Sequence, residues 1–390
     1  MISVEEAVTR IVAAFRPLES ECVALDQAIG RTLAADACAK CDQPPFAVSM
    51  MDGFAVRSID PDPRRVIGSA PAGHPFSGTV GPGEAVRLFT GSVVPAGVDA
   101  VMAQEDARID GDQVRFDESP RPGKFIRAQG LDFRAGAVLA PKGKRLSPRD
   151  LALLAAGDLA EVTARRRPVI AFAATGDELS RPGEARKPGG VVASSVYGLK
   201  PLIDQWGGQA RDLGILPDKP EAIAVLAREK CDLLVTLGGA SVGDHDLVQS
   251  ALGAHGFVLD FWKIAMRPGK PLIFGRLGPT PLLGLPGNPV STFVCALLFL
   301  RPAIAAMLGR ADGPSLKPAR LAGALGANDS RQDYVRATCE WRDGGFWARP
   351  FPAQDSSMLN VFSQSDALIV RKPLASALSD GAAIEILLLD

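Results

Sequence analysis

Three loops rich in glycine and small polar residues follow predicted strands in the second half of the chain. They are Thr175 to Glu178, Gly238 to Asp246, and Leu285 to Ser291, the last of which opens a long apolar helix. Glycine lets a backbone approach a ligand closely, and the N–H groups at the start of a helix favour anions. Because ligands of open α/β sheets bind beyond the carboxyl ends of the strands, these loops predict one anion-binding cleft.

Charged side chains accompany these loops. Four carboxylates belong to them, namely Asp177, Glu178, Asp244 and Asp246. A following segment, Trp262 to Pro271, adds three basic residues, namely Lys263, Arg267 and Lys270. The carboxylates would repel an anion unless a divalent cation lay between them, and Mg²⁺ prefers such hard oxygen ligands. Carboxylates and cations around these glycine-rich loops suit the binding of nucleotide phosphates.

Each of these features also has a plainer interpretation. The stretch Asp218 to Glu221 can be a helix cap, and Asp244 or Asp246 can cap the helix that follows it. The stretch Pro286 to Pro289 can be only a tight turn, and the three basic residues can form a solvated edge. His245 and His255 have no partner at metal-ligand spacing, so surface positions are expected for both. No G-x-G-x-x-G and no Walker motif occurs, so dinucleotide and NTPase sites lack a motif.

Composition restricts the partners and the compartment. The formal net charge is −1, so nucleic acid is not an expected partner. The chain starts without a basic and then apolar stretch, so no signal peptide is expected. The apolar run Phe293 to Leu300 is too short to span a bilayer and indicates a buried helix. Cys38 and Cys41 form a CxxC with no second pair, so reduced thiols in the cytoplasm are expected rather than a metal or redox site.

A regular alternation of strands and helices begins after Arg165-Arg166-Arg167, which we interpret as a linker. Strands are predicted at 169–174, 210–216, 232–237, 257–264, 272–274 and 281–283, with helices at 197–206, at 220–229, from about 246 and from about 290. This pattern predicts a mostly parallel sheet with helices on both faces.

The flanking regions differ from this pattern, and 390 residues exceed one hydrophobic core. Helices are predicted at 3–15 and 148–156, and they could pack together in one discontinuous domain. Short β-type runs and turns fill the stretch between them and also the end of the chain. The expected fold is an elongated multidomain chain of α/β plus β-rich domains: a helical N-terminal domain (1–41 and 142–166), an inserted β-rich domain (42–141), a central α/β domain (167–310) and a small C-terminal β domain (311–390).

Six motifs occur in one order along nearly the whole chain. They are Asp52 to Val56, Thr90-Gly91, Thr175 to Leu179, Gly238 to Asp246, Met266 to Pro271, and Leu285 to Ser291. In this order they resemble the molybdopterin molybdenumtransferases, the family that includes the gephyrin E domain. The resemblance implies an elongated four-domain homodimer whose active site lies between the α/β domain of one subunit and the β-rich domains of the other.

The resemblance also implies roles for particular residues. Asp52 and Thr90 would come from the partner side of the site, and Arg336 and Ser356 would act from the C-terminal domain, although Arg336 can equally be an exposed strand arginine. Catalytic residues in the α/β cleft would be Glu178, Asp246, Lys263 and Arg267. Substrate-binding residues there would be Thr175, Gly176, Asp218, Gly238, Gly239, Ser241, Gly243, Lys270, Pro286, Gly287, Asn288 and Pro289.

The reaction implied by the resemblance inserts molybdate into adenylated molybdopterin with release of AMP. Magnesium held by Asp177, Glu178, Asp244 or Asp246 would bridge the pyrophosphate, and molybdate would lie among Lys263, Arg267, Lys270 and backbone donors. Electrostatic positioning would carry most of the catalysis. Transient partners would be a molybdopterin adenylyltransferase and molybdoenzymes, with no nucleic acid and no membrane.

Four positions depart from the family pattern. Ala47 stands in place of an acidic residue, Ala193 and Ser195 stand in a stretch that usually reads Asp-Ser-Asn, and Phe54 stands in place of Tyr. Losing a carboxylate and an amide weakens cation and nucleotide contacts. Two alternatives to the transferase therefore remain open at this point: a paralogue that acts as a pterin-binding scaffold, and an adenylyltransferase of molybdopterin.

Overall fold

The computed structural model describes residues 1–239, 247–311, 313 and 315–389. The chain forms two compact units. The larger unit comprises Met1–Glu21, Gly30–Ala34 and Ala164–Asp390, and the smaller unit comprises Cys22–Ile29 and Ala35–Thr163. The described α-helices are α1 (Val4–Ala13), α2 (Pro148–Ala156), α3 (Ser194–Gln205), α4 (Pro220–Ala224), α5 (Leu247–Gly253), α6 (Pro289–Cys295), α7 (Arg301–Met307) and α8 (Leu359–Ser363).

The helices α1 and α2 begin as the sequence predicts. The hydroxyl of Ser3 accepts a 3.1 Å hydrogen bond from the N–H of Glu6. Ser147 and Asp150 form a reciprocal capping box in front of α2, with Pro148 in its first turn. However, α1 buries Val4, Ala7 and Ile11 in the core of the larger unit, whereas α2 belongs to the smaller unit. The two helices that we expected to share one domain therefore lie in different compact units, and the four-part division of the chain stays a prediction.

A six-stranded sheet forms the centre of the larger unit, as the alternation of strands and helices predicts. Its strands lie in the order Gln209–Leu216, Val169–Thr175, Leu233–Leu237, Thr280–Leu285, Ile273–Leu277 and Phe257–Trp262. The first four are mutually parallel, the fifth pairs antiparallel with the fourth, and the sixth pairs antiparallel with the fifth. The inner strands Val169–Thr175 and Leu233–Leu237 consist almost entirely of buried apolar residues, which is what strands covered on both faces require.

The helices beside this sheet are arranged so that several of them start at its carboxyl edge. α4 is short and continues as a 3₁₀ turn, Val225–Arg228, where the sequence predicts one helix at 220–229. A parallel pair of two-residue strands, Leu179–Ser180 and Val191–Val192, lies in the connection before α3. The carboxyl edge of the sheet therefore carries long loops, and the site described below is built from them.

The C-terminal β region closes into a small barrel. Its strands lie in the order Met266–Arg267, Gln332–Arg342, Gly345–Pro350, Leu316–Leu321, Ala383–Leu388 and Ala367–Arg371. The strand Gln332–Arg342 also pairs with Ala367–Arg371, which closes the ring. The short strand Met266–Arg267 comes from the α/β part of the chain and pairs in parallel with Gln332–Asp333.

The smaller unit is rich in β-structure, as expected for the inserted region. Its main sheet has the order Ala100–Ala103, Gly53–Val56, Glu84–Leu88, Arg64–Ala70, Gln113–Phe116 and Ala107–Asp110. Two short antiparallel pairs accompany it, Val48–Ser49 with Ile126–Arg127 and Ala37–Cys38 with Val138–Ala140. A further pair joins Ser20–Ala24 with Glu161–Arg165, and 3₁₀ turns occur at Leu25–Gln27 and Gln104–Asp106.

The apolar helix is longer than the sequence run predicts. From Pro289 to Met307 it covers 19 residues with a mean hydropathy of 1.9, which by length and composition alone would suffice to cross a membrane. A π-helical stretch, Ala296–Leu300, joins α6 to α7 and carries the helix past Arg301 and Pro302. Within the fold, 78% of this helix is buried. It is therefore a core helix of the larger unit.

Candidate active site

A cavity of about 1120 Å³ lies at the carboxyl edge of the parallel strands, within the larger unit. Its wall contains the ends of strands Val169–Thr175 and Leu233–Leu237, the start of α3 and the start of α6. The segment 266–271 and the loop 354–357 complete it. Loops that are far apart in sequence thus converge on one cavity, as the position of the strand ends predicts.

Three strand ends approach each other closely because they carry glycine. Gly238 has φ +97, and a Cβ placed on it would lie only 2.8 Å from the carbonyl oxygen of Thr175. A Cβ on Gly287 would lie 3.6 Å from the Cα of Gly238. A larger residue at position 238 would therefore push the strand ends apart, and the backbone at the floor of the cavity would lose its close approach.

The predicted carboxylates do not all face the cavity. Glu178 and Asp218 line it, and the Glu178 carboxylate folds back towards Gly176, where an added Cβ would lie 2.6 Å from its Oε2. Asp177 is not among the lining residues, since its Oδ1 accepts a 3.3 Å hydrogen bond from the N–H of Asp218. Asp218 does not cap α4, which has Lys219 at its N-cap position and no side-chain cap. Asp177 therefore positions the loop that presents Asp218.

Four of the predicted site residues lie outside the described residues. They are Ser241, Gly243, Asp244 and Asp246. Within the described part of the chain, no group of three or more His, Cys, Asp or Glu side chains has the spacing of a metal site. Three carboxylates line the cavity, and that of Asp355 already accepts hydrogen bonds from Ser357. Glu178 and Asp218 are therefore the carboxylates that the described structure offers to a cation.

The three predicted cations take different positions. Lys270 and Arg267 line the cavity. The Arg267 guanidinium also forms ion pairs with Asp333 and, at 3.4 Å, with Asp329 of the C-terminal barrel. Lys263 is not among the lining residues; its Nζ lies 3.7 Å from the centroid of the Trp262 ring. Of the predicted cluster, Lys270 is therefore the cation that faces the cavity without a described carboxylate partner.

The start of α6 is joined to the barrel. The Asn288 side-chain amide donates a 2.9 Å hydrogen bond to the hydroxyl of Ser356, and the N–H of Val290 donates to the Ser356 carbonyl at 3.2 Å. The Thr292 hydroxyl donates to the carbonyl of Pro286 at 2.6 Å, which fixes the turn. This turn and Ser356 together form one wall of the cavity, which includes Pro286, Gly287, Asn288 and Pro289 as predicted.

Arg336 supports this wall from the outer face of the barrel, since its strand neighbours Val335 and Ala337 face the barrel core. Only 1% of Arg336 is exposed, so the alternative of an exposed strand arginine is wrong. Its Nε donates to Gln354 Oε1 at 3.0 Å, and one terminal nitrogen donates to the Asp355 carbonyl at 2.6 Å. Burial lowers the pKa of Arg336, while the nearby Asp355 charge opposes that shift. Arg336 thus holds the loop that presents Ser356, and no pattern in the sequence pointed to Gln354 as its partner.

Asp52 and Thr90 meet in the smaller unit. Asp52 Oδ1 accepts hydrogen bonds from the Thr90 N–H at 2.7 Å and from the Thr90 hydroxyl at 2.8 Å. These two bonds lower the pKa of Asp52. A Cβ on Gly53 would lie 1.9 Å from the Met102 carbonyl oxygen, so a glycine must follow Asp52. The two residues, 38 positions apart, therefore form one polar group as their shared motif pattern suggests.

Comparison with protein families finds three matching models in chain order. Residues 2–157 match the MoeA N-terminal region (domain I and II). Residues 171–306 match a probable molybdopterin binding domain, and residues 318–389 match the MoeA C-terminal region (domain IV). The cavity residues fall in the second and third of these regions, and Asp52 and Thr90 fall in the first.

Whole-length relatives agree with these matches. The chain is 34% identical over 370 residues to the molybdopterin molybdenumtransferase of Nostoc sp., covering 90% of this chain and 85% of the relative. It is 33% identical over 383 residues to the molybdopterin molybdenumtransferase of Haemophilus influenzae, covering 95% and 94%. A crystal structure of a molybdopterin biosynthesis MoeA protein from Pyrococcus horikoshii is similar with a TM-score of 0.86 and 29% identity, covering 100% of this chain and 99% of that one.

Proposed function

The chain belongs to the molybdopterin molybdenumtransferase family, and we propose that its cavity is where molybdate is inserted into adenylated molybdopterin with release of AMP. The chain is accordingly a transferase of molybdenum cofactor biosynthesis. The observation that carries the site assignment is that one cavity gathers Gly238 and Gly287, the carboxylates of Glu178 and Asp218, Lys270 and the Asn288–Ser356 wall. Its volume of about 1120 Å³ is of the size that a nucleotide-linked ligand needs.

Molybdate is placed on the Lys270 side of the cavity. It is a dianion, and a partly enclosed site must offset its charge to hold it. Lys270 supplies a cation that no described carboxylate neutralises, while Arg267 shares its charge with Asp333 and Asp329. Ser356 and Asn288 add polar groups to the cavity wall. These residues hold the anion in place by fixed donors, so that electrostatic positioning carries most of the catalysis.

Magnesium is the metal that fits the carboxylates. Mg²⁺ keeps several water ligands and is commonly bound through one or two carboxylates together with substrate phosphates. Glu178 and Asp218 meet that requirement, since both line the cavity. When bound there, the ion would neutralise charge on the pyrophosphate. Asp244 and Asp246, which were also predicted as ligands, lie outside the described residues.

The proposal includes a homodimer in which Asp52 and Thr90 of one subunit complete the cavity of the other. The Asp52–Thr90 pair supports it, because a carboxylate already fixed by two hydrogen bonds is suited to a precise contact. Transient contacts with a molybdopterin adenylyltransferase and with molybdoenzymes belong to the same proposal. A cytoplasmic location is supported by the six cysteines, all of which are free thiols.

The direct test is turnover by the purified protein. Adenylated molybdopterin, molybdate and magnesium are incubated with it, and AMP and active cofactor are assayed. Formation of both supports the transferase, and ATP consumption with molybdopterin would indicate the adenylyltransferase alternative. Pterin binding without turnover would indicate the scaffold. The names of the relatives favour the transferase over both alternatives.

A further inference from the structure

Arg331 lines the cavity, although no motif in the sequence pointed to it. It stands directly before the long barrel strand that begins at Gln332, and 27% of its side chain is exposed. The N–H of Gln332 donates to the Ala265 carbonyl at 2.9 Å. The residue before Ala265, Ile264, donates its N–H to the Lys270 carbonyl at 3.0 Å. Arg331 and Lys270 therefore lie on backbone segments that are hydrogen-bonded through one short stretch of chain.

The Arg331 guanidinium uses one edge for a carboxylate and has donors left on the other edge. Its Nη2 donates to Asp329 Oδ2 at 2.7 Å, and its Nε donates to Asp329 Oδ1 at 3.4 Å. Among the described residues, none accepts a hydrogen bond from its Nη1. A guanidinium is a planar fork of five N–H donors, so one that is held along one edge can bind a second anion along another. Arg331 therefore has positioned donors to offer to a ligand of the cavity.

Asp329 connects Arg331 to the second cavity arginine. Its Oδ2 also accepts a 3.4 Å hydrogen bond from Arg267 Nη1, and its Oδ1 accepts one from the Arg331 N–H at 2.8 Å. The hydrogen bonds from the side chain and backbone of Arg331 lower the pKa of Asp329 to about 2, so this carboxylate is charged at neutral pH. Asp329 therefore fixes two cavity arginines and also weakens the positive potential that an anion would meet beside them.

We propose that Arg331 binds the molybdate dianion together with Lys270, and that Asp329 positions Arg331 and limits the affinity of the site. This rests on the proposed function, because it takes the anion of the cavity to be molybdate. Molybdate has four oxygens around one centre, and an arginine edge supplies two parallel donors where a lysine ammonium supplies only a point charge. A limited affinity suits this substrate, because tight binding of the free anion would not speed its transfer to the pterin.

The test uses two substitutions whose effects should have opposite signs. Calorimetry with molybdate alone on full-length Arg331→Gln should show the Kd raised by about threefold to tenfold, since charged donors are lost. Asp329→Asn keeps an acceptor oxygen for the Arg331 N–H and removes the negative charge beside two arginines, so it should lower the Kd by about twofold or more. If Arg331 served only as the counter-ion of Asp329, both substitutions would break the same ion pair and would shift the Kd in the same direction.

Further variants and a second ligand serve as controls. Arg331→Lys keeps the charge without the fork, so it should recover part of the affinity that Arg331→Gln loses. Arg320→Gln is the matched control: Arg320 is an exposed arginine of the same barrel, it donates to the Gly381 carbonyl at 3.1 Å, and it is not among the cavity-lining residues. Its molybdate Kd should equal that of wild type. The Kd for AMP should be the same in Arg331→Gln and wild type.

The outcomes separate this inference from the proposed function. An unchanged molybdate Kd in Arg331→Gln, or no molybdate binding by wild type, overturns the inference even if cofactor is formed normally. A loss of AMP affinity in place of molybdate affinity also overturns it. If Arg331→Gln does not fold, Asp329→Asn decides, and an equal or higher molybdate Kd in that variant overturns the inference. If the molybdate Kd values shift as expected but wild type forms no cofactor, the anion site stands and the proposed function fails.

Discussion

The amide of Asn288 donates a 2.9 Å hydrogen bond to the hydroxyl of Ser356, two residues that are 68 positions apart. This bond joins the first turn of α6 to the C-terminal barrel at the wall of the cavity. The Val290 N–H adds a second bond, to the Ser356 carbonyl. The cavity therefore depends on the docking of the barrel loop 354–357 as much as on the α/β sheet.

Asn288→Ala and Ser356→Ala should both weaken the apparent affinity of the site for molybdate. Each removes one partner of a single hydrogen bond, so each should raise the molybdate concentration for half-maximal cofactor formation. The double variant should be little worse than either single one, with a coupling of about 0.5–1.5 kcal/mol. A molybdate titration of the four proteins measures this cycle, and additive effects would show that the two residues act separately.

Lys270→Ala should raise the half-saturating molybdate concentration more than Lys263→Ala does. Lys270 lines the cavity, whereas Lys263 lies over the Trp262 ring and does not. For Lys270→Ala we expect half-saturating molybdate to rise by at least about tenfold, equivalent to roughly 1.4 kcal/mol. The Lys263→Ala curve at fixed pterin and magnesium serves as the control. A larger effect at Lys263 would show that the anion lies elsewhere.

Glu178→Gln should impair the use of magnesium. The substitution keeps the size of the side chain and removes the charge that faces the cavity, so about tenfold more Mg²⁺ or higher should be needed for half-maximal turnover. Asp177→Asn is the comparison, because that carboxylate is engaged by the Asp218 N–H. Chelation of magnesium should stop turnover by wild type. Equal magnesium curves for Glu178→Gln and wild type would exclude Glu178 as a ligand.

Two variants assayed at a magnesium concentration too low for Glu178→Gln to turn over should complement each other if the cavity is shared between subunits. Asp52→Asn and Glu178→Gln would then lie on opposite sides of each site. In a coexpressed mixture, half of the dimers are mixed and each mixed dimer has one intact site, so about a quarter of wild-type activity is expected. Light scattering checks that the preparation is dimeric. No recovery above either variant alone would contradict the shared site.

Asp150 should make the stability of the smaller unit depend on acid pH. Burial opposes its charge, but the Lys144 ammonium and the hydrogen bonds from Ser147 outweigh that and lower the pKa of Asp150 to about 2. Because the folded-state pKa lies below the normal value of about 3.9, the charged form stabilises the fold above pH 4, and this is lost as pH falls towards 2. The urea midpoint of Asp150→Asn should therefore approach that of wild type below pH 4. A constant difference from pH 6 to 2.5 would contradict the assignment.

The position of the cavity could be predicted from the sequence because it follows from a general rule of parallel sheets. Thr175, Gly238 and Pro286 each come directly after a buried strand, so their convergence needs no knowledge of individual contacts. Side-chain direction is a different matter. Lys263 has φ +65 and its Nζ lies 3.7 Å from the centroid of the Trp262 ring, and spacing along the chain reveals neither feature.

Features that depend on long-range packing could not be predicted from the sequence, because the contacts form between distant parts of the chain. Arg336 is buried on the outer face of the barrel, and Gln354 becomes its partner only through the fold of the loop that follows Phe351. The apolar run that indicated a buried helix stops at Leu300, but the helix itself extends to Met307. It continues because a π-helical stretch precedes Pro302, which then stands in the first turn of α7, where its missing N–H is tolerated.

The short strand Met266–Arg267 couples local unfolding of the barrel edge to local unfolding of the segment that carries Lys270. It belongs by sequence to the segment that carries Lys270, yet it hydrogen-bonds as an edge strand of the barrel, with the Gln332 N–H donating to the Ala265 carbonyl at 2.9 Å. Local opening of the barrel edge would therefore break the backbone bonds that fix the segment leading to Lys270. Hydrogen exchange at Gln332 and in the 266–271 segment should then proceed in one cooperative step, which makes these residues a single foldon spanning two layers of the fold.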